Sequence, residues 1–111
     1  MDLTLKELAE LTDEKPLESI SIGGRRFRVG ILSPEQWADI DAWERRIAQA
    51  RIKGEPLIAR ERDPTRILVH LLWGGQPHSV YKAVLRDVKR EHLLAAKREA
   101  TRQRLLARAL D

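Results

Sequence analysis

The sequence predicts a mainly α-helical domain with a small β-hairpin near its N-terminus and a long C-terminal helix, an α+β arrangement of about four helices. Two short runs of alternating apolar residues flank Gly23-Gly24, a pattern typical of a hairpin. Apolar residues then recur at helical spacing through most of the remaining chain, which predicts amphipathic helices. A chain of 111 residues suits a single domain over residues 1–111.

Composition limits the class of protein. Hydrophobic residues make up an ordinary 42% of the chain, but 5% aromatic and 34% charged residues predict a thin core beneath a heavily charged surface. The sequence contains no cysteine, which excludes a disulfide scaffold and a thiolate metal site. It also contains no apolar run as long as a membrane span or a signal peptide. We therefore expect a cytoplasmic protein that does not bind a membrane.

The two ends of the chain carry opposite charge. Residues 1–20 hold two lysines against six carboxylates, whereas residues 86–108 hold eight lysines and arginines against three carboxylates. Such ends can attract each other within one molecule or between copies, and the basic end can also meet an acidic partner or a nucleic acid.

The first two elements follow from local patterns. Residues 1–16 predict a short helix that begins with a capping box at Thr4 and ends before Pro16. Residues 18–31 predict the hairpin, with Ile20 opposite Phe27 across the turn. Alternation then predicts one apolar face, which must rest on another element because a two-stranded ribbon is marginal alone. We expect it to rest on the helix that follows, and its members are Ile20, Ile22, Phe27, Val29 and Ile31.

Residues 33–96 predict the helical core. Ser33 and Gln36 have the spacing of a capping box, with Pro34 at the first helical position. The stripe that runs from Trp37 through Trp43 and Ile47 continues at helical spacing until Lys53-Gly54 stops it. A second helix is predicted to start at Asp63-Pro64, to be apolar almost all round and to end at Gly74-Gly75.

The chain beyond Pro77 contains neither glycine nor proline, which predicts one long helix or two collinear ones. Apolar residues nearly vanish from Lys97 to Arg104 and return as leucines near the terminus. We therefore expect residues 97–111 to form a basic helix end that projects into solvent, frays or finds a partner.

No pattern for catalysis or for metal binding is present. The three histidines lack the spacing of metal ligands, and neither glycine pair is followed by the residues of a phosphate-binding loop. The acidic residues Asp39, Asp41 and Glu44 are predicted to lie on a solvated helix face, with Asp41 pairing with Arg45. We expect no catalytic, cofactor-binding or metal-binding residue, and a protein that is not an enzyme.

The residues alone do not define a function, but they offer candidate positions for contact with another protein. The three tryptophans lie on apolar stripes and are most simply core residues, and Trp43, between charged neighbours, is the candidate for a partly exposed anchor. The terminal leucines offer a second contact site or a self-association site. The basic helix favours a solvated surface or a protein contact over nucleic acid, because Tyr81 is the only aromatic residue after Trp73. The predicted partner-binding residues are Trp43, Ile47, Leu105, Leu106 and Leu110.

The order of elements in this chain resembles that of the tail assembly chaperones of long-tailed bacteriophages. The features that carry the resemblance are the hairpin of residues 20–29, the helix start of residues 32–37 and the helical remainder. The resemblance covers residues 18–50. The resemblance implies a non-enzymatic protein of the host cytoplasm. Such a protein binds the tape-measure protein, keeps it soluble, and leaves as tail-tube subunits polymerise. Two alternatives remain open at this point: a small basic nucleic-acid-binding regulator, and a structural connector or tail-completion protein of the virion.

Overall fold

The computed structural model describes residues 15–75 and 79–110. The described residues form a two-stranded antiparallel hairpin and four helices, which confirms the predicted fold class with its long C-terminal helix. The helix predicted over residues 1–16 lies almost wholly outside the described residues. In chain order the elements are β1 (Ser19–Ile22), β2 (Arg25–Arg28), α1 (Pro34–Lys53), α2 (Arg66–Trp73), α3 (Ser79–Leu85) and α4 (Arg90–Leu110).

The hairpin has the predicted register, with Ile20 paired to Phe27. Gly23 and Gly24 form its turn with φ angles of 59° and 77°, which side chains other than glycine rarely adopt. Ile31 departs from the prediction, because its side chain is 88% exposed and does not share the apolar face. The alternation of the strand ends before Ile31, since the chain turns away from β1 at Gly30 and donates the Gly30 N–H to Leu71 O at 2.8 Å.

Helix α1 begins and ends as predicted. The Ser33 hydroxyl accepts a hydrogen bond from the Gln36 N–H at 3.2 Å, and the Gln36 side chain accepts one from the Ser33 N–H at 2.8 Å. This pair is a complete capping box, which satisfies two backbone donors that the first helical turn leaves without partners. Gly54 ends the helix in the left-handed conformation.

Helix α2 begins at Arg66, slightly later than Asp63-Pro64 predicts. The Asp63 carboxylate accepts hydrogen bonds from the N–H and the hydroxyl of Thr65, at 2.9 and 2.6 Å, and so closes a turn ahead of the helix instead of capping it. As the all-round apolar sequence of this helix predicts, Leu68, Val69 and Leu71 are buried.

The C-terminal part forms two helices, α3 and α4, separated by a turn over residues 86–89. At the start of helix α4, the ring Nδ1 of His92 accepts a hydrogen bond from the Lys89 N–H at 2.8 Å. The turn also lies against the hairpin, since a Cβ on Gly23 would come within 2.5 Å of the Asp87 carboxylate. A side chain at Gly23 would have to displace the Asp87 carboxylate, and the positive φ angle of this residue itself favours glycine.

The core joins the hairpin to all four described helices. Phe27 packs edge-on against Trp73 with ring centroids 5.3 Å apart, and Trp73 stacks on Tyr81 at 4.6 Å. The apolar face of the hairpin thus contacts α2, and the expectation that it rests on α1 holds only in part, through the shared core residue Ile40. The buried cluster comprises Ile20, Ile22, Leu32, Ile40, Leu68, Leu71, Val84, Ala96 and Ala100.

Helix α4 is attached to the hairpin region through the buried carboxylate of Glu99. This residue is 4% exposed, and its Oε1 accepts the backbone N–H of Leu17 at 2.9 Å, just ahead of β1. Arg102 donates two further hydrogen bonds to the same carboxylate, at 2.7 and 2.9 Å. The expectation that residues 97–111 project into solvent is therefore wrong for the part of α4 around Glu99 and Arg102.

Gln103 makes a second polar link from α4. Its Oε1 accepts the N–H of Leu32 at 2.8 Å, and its Nε2 donates to the carbonyl of Gly30 at 3.0 Å and to Glu99 at 2.9 Å. Hydrophobic periodicity counts apolar residues only, so it does not register a helix face that packs through an amide and a carboxylate. For this reason the sequence predicted a solvated helix end here.

One further expectation on α1 is corrected. Asp41 pairs with Arg104 on α4 and not with Arg45 on its own helix. The Arg104 guanidinium also lies 4.2 Å from the ring centroid of Trp37, in a cation–π contact. Arg104 is held in place by this contact, whereas Arg45, one turn along α1, is exposed and flexible. Asp41 therefore pairs with Arg104.

The Glu99 carboxylate makes the stability of the fold depend on pH. Burial alone raises the pKa of Glu99, but the hydrogen bonds from Arg102, the Leu17 N–H and Gln103 outweigh it, so that the pKa lies below its ordinary value of 4.5. A lowered pKa in the folded state stabilises the fold above the unfolded pKa, and this stabilisation is lost as the pH falls through the folded pKa.

We therefore expect Glu99→Gln to lower the free energy of unfolding at neutral pH by about 1–3 kcal/mol, because the charge-assisted hydrogen bonds are lost. The loss of stability of the unmodified protein between about pH 5 and pH 3 should be smaller in this variant. Urea unfolding at several pH values measures both effects. Parallel pH profiles for the two proteins would contradict this role of Glu99.

Truncation should cost far more stability at Ile22, inside the hairpin, than at Ile31, which lies beyond its last paired residue. Ile22 is 1% exposed, so Ile22→Ala should lower the free energy of unfolding by about 2–4 kcal/mol through lost burial and a cavity. Ile31→Ala is the matched control, and its 88% exposed side chain should change stability by less than about 0.5 kcal/mol. Chemical denaturation compares the two variants, and similar losses in both would show that Ile31 belongs to the core.

Candidate interaction surface

Trp43 and Ile47, two of the predicted partner-binding residues, line one open groove of about 470 Å³ between α1, the start of α2 and the first half of α4. We call it the Trp43 groove. Its apolar lining also includes the exposed Leu94, whose side chain is 56% accessible. Its other lining residues are Glu44, Pro64, Ile67, Leu68, Arg90, Leu93 and Lys97.

The indole of Trp43 is fixed in place at the groove wall. Its Nε1–H donates to the carbonyl of Glu61 at 2.7 Å, and the guanidinium of Arg66 lies 5.7 Å from the ring centroid. The side chain is half-buried, with its polar atom satisfied and part of the ring open to the groove. An aromatic side chain held in this way offers contact area to a partner at little cost in conformational entropy.

The segment that carries Glu61 is held to α1 by ion pairs. Arg46 Nε lies 2.6 Å from a Glu61 oxygen, and Arg46 Nη1 lies 2.9 Å from a Glu55 oxygen. The hydrogen bond from Arg46 lowers the pKa of Glu61, and hydrogen bonds to Glu55 and Glu61 raise the pKa of Arg46. This brace fixes the backbone carbonyl that orients Trp43.

The predicted residues near the C-terminus lie elsewhere. Helices α1 and α4 run antiparallel, because Asp41 near the start of α1 pairs with Arg104 while Ile47 shares the groove with Leu93. Leu105 and Leu106 are half-buried beyond Arg104, about 16 Å along the helix from Leu94 at 1.5 Å per residue. The side chain of Leu110 lies outside the described residues. The structure thus brings Trp43 and Ile47 together and separates them from Leu105 and Leu106.

A polar cluster that the sequence did not predict joins α1 to α2. Asp39 Oδ2 lies 2.7 Å from His70 Nε2 and 2.9 Å from Arg66 Nη1. The hydrogen bond with His70 is the main reason why the pKa of Asp39 is lowered, and it outweighs the opposing effect of burial. The spacing of Arg66 and His70 places both on one face of α2, but no local pattern identifies their partner on another helix.

The chemistry open to this cluster is limited. A small cavity of about 240 Å³ adjoins it, and the described residues that line it include no hydroxyl, thiol or amine side chain that could act as a nucleophile beside the imidazole. The second ring nitrogen of His70 is buried against Gly75, where a Cβ would lie 2.5 Å from Nδ1. The cluster therefore has the geometry of a tie between helices.

The described residues were also compared with the requirements of a metal site and of a membrane span. Among residues 15–75 and 79–110, no group of three or more histidine, cysteine, aspartate or glutamate side chains is placed to hold a metal ion. Within the same part of the chain, every helix is too short or too polar to cross a membrane.

Comparison with known proteins gave no match. No family model, no curated protein and no solved structure is detectably similar to this chain.

The Asp39 cluster should contribute measurably to stability. Asp39→Asn removes the charge that faces Arg66 and His70, and we expect a loss of about 1 kcal/mol in the free energy of unfolding because the carboxylate is partly exposed. Glu35→Gln changes an exposed carboxylate in the first turn of the same helix and should cost less than about 0.5 kcal/mol. Urea unfolding at neutral pH compares them, and equal losses would contradict the tie.

Proposed function

We propose that this protein is a tail assembly chaperone of a long-tailed bacteriophage, which binds the tape-measure protein without catalysis and keeps it soluble in the host cytoplasm during tail assembly. The observation that carries the proposal is the Trp43 groove, an open apolar surface on a small helical body. The hairpin followed by the capped helix α1 is the arrangement on which the resemblance to these chaperones is based.

The groove has the chemistry that a helical client requires. A long helix that is not yet covered by its tube exposes an apolar stripe that would otherwise aggregate. Side chains at helical spacing along such a stripe can enter a groove walled by Trp43, Ile47 and Leu94, in the helix-in-groove mode of recognition. The charged rim of Glu44, Arg90 and Lys97 keeps the surface hydrated when it holds no client.

The modest size of the groove suits reversible binding. A volume of about 470 Å³ accommodates a few side chains, so a single contact buries much less area than the roughly 1,200–2,000 Å² of a stable interface. A chaperone must release its client as tail-tube subunits polymerise, and weak contacts repeated along a long client permit this exchange. The tail-tube protein is then the competitor for the same client surface.

Co-expression with the neighbouring tape-measure gene tests the proposal. We expect the tape-measure protein to become soluble and to co-purify with this chain. Ile47→Glu should reduce the co-purified amount at least about tenfold, since it puts a charge where an apolar side chain must bury. Ile52→Glu is the matched control, because Ile52 lies on the same helix, is 85% exposed and does not line the groove.

Three outcomes count against the proposal. The first is a tape-measure protein that stays insoluble on co-expression. The second is equal binding of the tape-measure protein by the two variants, and the third is the presence of this chain in the purified virion. The last outcome would indicate a structural connector or tail-completion protein, which remains with the particle when a chaperone has left it.

A further inference from the structure

The Trp43 groove carries charges of opposite sign on two of its walls. Glu44 lies on the wall formed by α1, whereas Arg90 and Lys97 lie on the wall formed by α4. All three side chains are exposed. The base of the groove is apolar, because the start of α2 contributes the fully buried Leu68. A ligand in this groove therefore meets apolar atoms at the base and a cationic wall along one side.

The two cations of the α4 wall have no partner in the part of the chain that the structure describes. Neither Arg90 nor Lys97 takes part there in an ion pair or a side-chain hydrogen bond. By contrast, the guanidinium groups of Arg46 on α1 and Arg66 on α2 lie 2.6 and 2.9 Å from a carboxylate oxygen. The positive charge on the α4 wall is therefore available to a ligand.

The position of Arg90 is unfavourable for the helix that carries it. Arg90 is the first residue of α4, and the backbone N–H groups of a first helical turn give that end of a helix a partial positive charge. A cation at this end opposes the helix dipole, whereas the neighbouring Glu91 complements it. Helix stability therefore does not account for Arg90, but contact with an anionic ligand does.

The spacing of the two cations indicates the shape of the ligand. Arg90 and Lys97 are seven residues apart, which is nearly two helical turns and about 10.5 Å along α4. A second helix that lies along the groove has the same distance between its own side chains seven residues apart. Both ends of the cationic wall can thus be paired by one face of a single helix.

We propose, on the basis of the function proposed above, that the preferred client of the Trp43 groove is an amphipathic helix with two carboxylates seven residues apart beside its apolar stripe. The carboxylates pair with Arg90 and Lys97, and the apolar side chains contact Trp43 and Ile47. The apolar stripe supplies most of the affinity, which many helices share. The carboxylates add the preference for one class of helix.

The test uses the full chain and two fluorescein-labelled helical peptides of the same composition. Each peptide has one leucine stripe, two glutamates and two glutamines. In the first peptide the glutamates lie seven residues apart beside the stripe and the glutamines lie on the opposite face, and in the second peptide these positions are exchanged. Fluorescence anisotropy at low salt should show about threefold to tenfold tighter binding of the first peptide, because exposed ion pairs contribute modestly. Added salt should reduce this preference.

Variants then locate the preference. Arg90→Glu with Lys97→Glu should remove it, and Arg90→Gln with Lys97→Gln should weaken it. The matched control is Arg45→Glu with Lys82→Glu, which replaces one arginine and one lysine at exposed positions outside the groove lining and should preserve the preference. Every variant is a full chain, so the charges of residues 1–14 are the same in all measurements. Thermal unfolding confirms that each variant folds.

Equal affinity for the two peptides, with both lost in Ile47→Glu, would overturn the preference for carboxylates and leave the proposed function standing. A preference that persists in Arg90→Glu with Lys97→Glu, or that the control variant also removes, would likewise overturn it. Binding of neither peptide would contradict the groove as a client site and so count against the proposed function as well. Self-association that Arg90→Glu with Lys97→Glu abolishes would assign the groove to a second copy of this chain.

Discussion

The rest of the structure depends on the hydrogen bonds that the buried carboxylate of Glu99 accepts. This carboxylate joins the middle of α4 to the backbone at Leu17, ahead of β1, and its neighbour Gln103 binds the backbone at Gly30 and Leu32, after β2. Both ends of the hairpin are thereby fixed to one helix. A buried carboxylate without these donors would carry a large desolvation cost. The loss of one donor therefore weakens the whole set of contacts. With α4 held in place, the same helix supplies one wall of the Trp43 groove.

Local signals in the sequence predicted much of the fold. The turn at Gly23-Gly24 and the capping box at Ser33 are short-range codes, and both elements formed where these codes placed them. The exposed Ile31 was misplaced because strand alternation was extended beyond the last paired residue. The contacts of Glu99 and Asp39 could not be predicted in the same way, since each joins side chains far apart in the chain and neither residue type reveals its partner.

The sequence predicted part of the candidate site. Trp43 and Ile47 were identified because an apolar stripe carried charged neighbours, and the structure places both in one groove. Leu105 and Leu106 lie beyond the contact of α4 with the start of α1, a separation that only the packing of the two helices determines. Leu94 on α4 lines the same groove.

Amide hydrogen exchange at Leu17 and Leu32 tests most directly whether the polar contacts of α4 hold the fold together. Both amides precede regular structure and donate to side chains of α4, so we predict that they exchange slowly, at rates close to those of the buried core of α2. In Glu99→Gln the Leu17 amide should exchange much faster than in the unmodified protein. Exchange of the Leu17 amide at the rate of an open loop in the unmodified protein would contradict the account.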